Sequence, residues 1–88
     1  MRPSAALNRA LGAAERLIRK GRKNAQKIKQ VMRQELAKAG RAKVDYAEIV
    51  DAGSLLPVVQ LKTGQKIELA LAVFFSRTRL IDNRLIRV

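Results

Sequence analysis

Histidine and cysteine are both absent from the 88 residues, and tryptophan is absent too. Without cysteine there is no disulfide and no thiolate metal site, which fits a reducing cytoplasm. Without histidine the commonest general base and the commonest transition-metal ligand are gone, along with any Ser-His or Cys-His nucleophile pair. Aromatic residues make up 3%, namely Tyr46, Phe74 and Phe75, and the basic first half has none for base stacking, which weighs against nucleic-acid binding. No apolar run approaches the length needed to span a bilayer, and the first residues lack an apolar h-region, so no secretory signal is expected in them. Acidic residues are scarce as well, 7 against 19 Lys+Arg, for a formal net charge of +12. What is present is a 48% apolar fraction, enough for one packed core and too much for a disordered polycation. One domain over residues 1–88 is expected.

The charge is concentrated. Residues 1–43 hold 13 basic residues against Glu15 and Glu35, whereas residues 44–88 hold six against five acidic ones. The first half is rich in Ala, Lys, Arg and Gln, the second in Val, Ile, Leu and Phe, so helices are expected before strands. Within a helical pair over residues 4–40, Pro3-Ser4 opens the first helix, and Leu7, Leu11, Ala14, Leu17 and Ile18 form its apolar stripe. Gly21 ends it in the basic turn Lys20-Gly21-Arg22-Lys23, and Gly12 is a weak point in its middle. Asn24 caps the second helix, whose stripe is Ile28, Val31, Met32, Leu36 and Ala39, with Gly40 as the stop.

Residues 43–88 read as strands. Val44–Val50 is the first, closed by a turn at Asp51-Ala52-Gly53-Ser54. Leu55–Leu61 is a second, edge-like or irregular because Pro57 has no donor. After the turn Lys62-Thr63-Gly64-Gln65, Ile67–Phe75 is the strongest. Its alternation places Ile67, Leu69, Leu71, Val73 and Phe75 against the helices and leaves Glu68, Ala70, Ala72 and Phe74 to something that packs closely. Arg79–Asn83 and Leu85–Val88 form a last hairpin around Asp82-Asn83-Arg84. The expected fold class is α+β, an N-terminal helical pair packed on a small antiparallel β-sheet.

Chemistry-bearing constellations are few. Alternation puts Asp45 and Asp51 on one face and Glu48 on the other, which does not make an acid/base or metal pair. The five glycines are isolated and no Gly-Lys-Ser/Thr phosphate loop exists. Arg79 and Asp82 suggest an Arg–Asp contact and an Asx-type turn at Asp82-Asn83. No catalytic, cofactor-binding or metal-ligating residue is assigned. The basic helices read as a solvated face, with non-specific nucleic-acid binding and a surface facing an anionic ligand as alternatives.

Two stretches carry a more specific signal. Val44-Asp45-Tyr46-Ala47-Glu48-Ile49-Val50-Asp51, followed by Leu55-Leu56-Pro57-Val58, resembles a segment of the pantothenate synthetase (pantoate–β-alanine ligase) family. Thr78-Arg79-Leu80-Ile81-Asp82-Asn83 is similar to that family's closing T-R-L-I-D-N. The chain departs from the pattern at Ala52-Gly53-Ser54, where Pro-Glu-Thr is common, and at Ser76-Arg77, where a glycine is common. Both departures lie at turns and put only local geometry in question.

The resemblance implies the family's C-terminal lid-like domain, excised in the linker and given a start Met. The N-terminal nucleotide-binding Rossmann domain, with its His-x-Gly-His motif, is absent from the chain. The implied parent enzyme joins pantoate to β-alanine, using ATP and Mg²⁺, through a pantoyl-adenylate, with release of pyrophosphate and then AMP. The resemblance further implies a cytoplasmic, homodimeric parent whose partner for this domain is its own Rossmann domain. The fragment itself is expected to be inactive, to bind neither cofactor alone, and to bind neither membrane nor specific nucleic acid. A small stand-alone basic nucleic-acid-binding module is the alternative.

Overall fold

The computed structural model describes residues 3–88, with side chains from Ser4 onward; the reading of Met1 as an added start lies outside the described residues. Helix α1 spans Pro3–Arg19 and α2 spans Ala25–Ala37. Strands β1 (Ala42–Asp51), β2 (Lys66–Phe75) and β3 (Thr78–Arg87) form an antiparallel sheet in the order β1-β2-β3. The α+β layering agrees with the periodicities of the sequence.

The helix ends follow local chemistry. Asn24 has extended backbone and its Oδ1 accepts the Lys27 N–H at 3.1 Å, satisfying one of the orphan donors of α2. Gly21 (φ +91°) and Gly40 (φ +74°) turn the chain in the left-handed region just past each helix. Gly12 does not interrupt α1; it lies beneath the Arg84 guanidinium, where even a Cβ would meet only ordinary contacts.

The core lies between the layers. Leu7, Leu11, Ile28, Met32 and Leu36 from the helices meet Ile49, Ile67, Leu69, Leu71 and Val73 from the sheet, all almost completely buried. Four consecutive inward positions of β2 are therefore core, as its alternation predicts. Burial of this apolar surface supplies the main folding free energy, at about 25 cal/mol per Å². No side chain with a charged or polar group is buried among the described residues.

Three expectations are corrected. The segment 55–61 is not a strand: it pairs with the sheet through one isolated bridge, Val50 to Pro57, and with the helical turn through another, Asn24 to Gln60, while Leu61 is buried in the core. The missing donor of Pro57 and the left-handed Leu55 (φ +62°) prevent a ladder from propagating. Next, residues 79–88 form no hairpin. Thr78–Arg87 run as one strand, in unbroken register from Phe75↔Thr78 to Lys66↔Arg87. The real hairpin turn is Ser76-Arg77. Finally, β1 carries a bulge between Val44 and Tyr46 that shifts its phase by one residue. Asp45 is thereby taken out of step with Asp51, and the two do not share a face.

Candidate functional site

The helices cover one sheet face and leave the other bare. Register fixes what the bare face carries, in rows across the three strands: Lys43–Phe74–Arg79, Tyr46–Ala72–Ile81, Glu48–Ala70–Asn83 and Val50–Glu68–Leu85. Pro57 extends the last row through its bridge to Val50. A solvated sheet face is usually polar. Here Ile81 and Leu85 are each 57% exposed, and the neighbouring loop adds exposed Leu55, Leu56 and Val59. Ala72 is fully buried even on this bare face, closed over by the larger Tyr46 and Ile81 that flank it in its row. The small residues Ala70 and Ala72 of β2 thus form the floor of this face, between the larger side chains of β1 and β3.

At the hairpin end the two sequence motifs meet. The Arg79 guanidinium donates from Nε and Nη2 to Oδ2 of Asp45, at 3.1 and 2.8 Å. Its Cζ lies 5.9 Å from the ring centroids of both Tyr46 and Phe74. The Arg–Asp contact expected of the closing motif therefore exists, but its acid is Asp45 of the first motif and not Asp82. Only the β1 bulge makes this reach possible, and alternation alone misses it. The Asx turn at Asp82-Asn83 is also absent; Asp82 Oδ1 instead accepts the Asn83 N–H at 2.8 Å within β3. Both partners of the Arg79 pair are partly solvated, so it fixes geometry more than it adds stability.

At the other end, Asp51 organises the turn after β1. Its Oδ1 accepts the N–H groups of Gly53 and Ser54, both at 2.9 Å, and its Oδ2 accepts Gln65 Nε2 at 3.0 Å. These bonds, the one from Gln65 foremost, favour the carboxylate and draw its pKa down from 3.8 to about 2. On the helix side, Arg84 crosses from β3 to α1, donating to Glu15 Oε1 (3.0 Å) and Asn8 Oδ1 (2.7 Å). Glu48 sits on the edge strand β1 and pairs with Lys29 of α2, 3.7 Å distant.

No group of three or more His, Cys, Asp or Glu among the described residues could hold a metal. The acidic residues present thus do not fit a Mg²⁺ centre, and no cradle of backbone N–H groups of the phosphate-loop kind is offered by the isolated glycines. Among the described residues, no helix is long and apolar enough to cross a membrane.

Fold and surface together define a two-layer α+β module whose sheet has one bare face of mixed character, with Ile81 and Leu85 exposed on it. A family model described as pantoate-beta-alanine ligase matches residues 2–85, and the chain belongs to that family. Its relatives include the pantothenate synthetase of Salinibacter ruber, 48% identical over 79 residues, which are 90% of this chain and 27% of that protein. The pantothenate synthetase of Myxococcus xanthus is 42% identical over 78 residues, 89% of this chain and 26% of its own length. Among solved structures, the crystal structure of pantothenate synthetase from Thermus thermophilus superposes with a TM-score of 0.75 at 28% identity, covering 90% of this chain and 28% of that one. The chain spans about a quarter of the length of the curated relatives it matches. The comparisons give the nucleic-acid-binding alternative no support.

Proposed function

We propose that this chain is the C-terminal, lid-like domain of a cytoplasmic pantothenate synthetase and that its bare sheet face closes over the nucleotide-binding domain. The observation that carries the reading is that face: a small-residue floor with exposed Ile81 and Leu85, in a chain that spans about a quarter of its relatives' length. In the whole enzyme, pantoate and ATP give pantoyl-adenylate and pyrophosphate, and the β-alanine amine then displaces AMP to form the amide. Mg²⁺ would supply charge neutralisation to the nucleotide there, and the carboxylates of this chain do not fit it. An acyl-adenylate is lost to hydrolysis wherever water reaches it, so the domain's part is exclusion of water and completion of the site.

The test replaces the matched 79 residues of the Salinibacter ruber enzyme with this chain and measures AMP release and pantothenate formation. The chimera is expected to make pantothenate with ATP, pantoate and β-alanine, while the isolated chain releases no AMP above background. A folded chimera without turnover, or turnover by the isolated chain, refutes the reading.

A further inference from the structure

Much of the positive charge lies on the helical layer, away from the bare sheet face. Arg22, Lys23 and Lys27 surround a concavity of about 530 Å³ at the α1–α2 turn, behind the sheet. Arg16, Arg19 and Lys20 line another of about 440 Å³, which Glu15 also lines. A third concavity, about 600 Å³, opens at the hairpin end of the sheet and is lined by Arg41, Lys43, Val44, Asp45, Phe74 and Ser76. Lys43 shares its row on the bare face with Phe74 and Arg79. Neither the Arg41 nor the Lys43 side chain has an ion-pair or hydrogen-bond partner among the described residues, and both are exposed. The one carboxylate in the lining, Asp45, is already held by two bonds from Arg79. The rim therefore keeps uncompensated positive charge, beside the Ser76 hydroxyl, on the face that the proposed closure turns inward.

We propose that Arg41 and Lys43 form an anion site that takes the polyphosphate of a nucleotide bound to the domain this face closes against. The proposal rests on the lid reading for its nucleotide, and on the geometry alone for its location. Arg41 offers a planar fork and Lys43 a point charge, the pairing that suits adjacent phosphate groups. The Phe74 ring walls the site on one side and lowers the water competing for those cations. The basic helices, despite carrying most of the charge, take no part in holding the nucleotide.

Titration of the 88-residue chain with inorganic tripolyphosphate, followed by amide NMR, locates the site without any activity. The expected result is a saturable shift centred on Arg41, Lys43 and Ser76. Arg41→Ala with Lys43→Ala should weaken binding about tenfold, as loss of charge-assisted contacts does, while Arg22→Ala with Lys27→Ala stays within about twofold. Shifts centred on Arg22–Lys27, shifts spread evenly over the helices, or no shift overturn the proposal. The wild-type map stands by itself if the double variant is unstable. In the chimera described above, Arg41→Ala with Lys43→Ala should raise KM for ATP about tenfold and leave KM for β-alanine unchanged. An unchanged KM for ATP overturns the site and leaves the lid reading intact. A dead chimera alongside the expected tripolyphosphate map overturns the lid reading and supports the site's location.

Discussion

Leu71→Ala is the sharpest test of the layered architecture. Leu71 is fully buried on the inward side of β2, the central strand, so both of its neighbours in the sheet are fixed by pairing. The truncation removes three carbons, a transfer loss of about 2.4 kcal/mol at about 0.8 kcal/mol per buried CH₂. Its row partners are Ala47 on β1 and Asp82 on β3, neither of which can fill the space. A residual cavity therefore persists and adds about 1–2 kcal/mol, for a total of about 4 kcal/mol. A domain of this length has about 4–13 kcal/mol of stability, so the variant should lose between about a third and all of it. At about 4–8 °C per kcal/mol, the melting midpoint should fall by about 15–30 °C, read by circular dichroism. Two controls sharpen the result. Lys27→Ala, on an exposed side chain of α2, should cost about 0.5 kcal/mol or less. Ile81→Ala, on the bare sheet face, should cost less than about 1 kcal/mol. If Leu71→Ala melts with the parent, or Ile81→Ala costs as much, the two sheet faces have been assigned the wrong way round.

Other expectations rest on single interactions. Asn24→Ala removes the cap of α2 and should cost about 1 kcal/mol in urea unfolding, whereas Asn24→Asp should stay close to the parent. Ser76 (φ +55°) is the first of two hairpin loop residues and the only one of the two with positive φ, the pattern of a type II′ turn that prefers glycine there. Ser76→Gly should therefore raise stability by about 1 kcal/mol, and a lowered melting point would show that the turn is something else. The Asp51 carboxyl should titrate near pH 2 by carboxyl-carbon NMR, below its ordinary 3.8. Because its folded pKa is the lower one, its stabilising contribution is complete above pH 3.8 and is lost as pH falls toward about 2. In Gln65→Ala, which removes the leading bond, that midpoint should move upward; an unmoved midpoint would mean the turn amides alone hold it down.

What the sequence by itself determined has its cause within a few residues. Asn24 and Gly40 mark helix ends because capping is local chemistry. The alternation along Ile67–Phe75 separates an inner from an outer face because side chains of a strand must alternate, whatever it pairs with. The two motifs pointed to the family because their order and spacing survive without coordinates, and the absence of histidine already excluded the usual proton-transfer chemistry from this chain. Tertiary structure decided what depends on a distant partner. Asp82-Asn83 looks like a turn in isolation, yet β2 holds residues 78–87 in one continuous ladder, and the summed pairing outweighs local turn preference. The bulge beside Asp45 has no local signature. It arises where β1 meets β2, and it alone brings Asp45 across to Arg79, 34 positions away. The same holds for charge: composition places the excess in the first half, but only the packing of α1 and α2 behind the sheet separates it from Arg41 and Lys43. Lys43 reaches the bare face, with Arg41 beside it on the same concavity, because the chain leaves α2 through Gly40 and enters an edge strand, a path set by the packing of the whole domain.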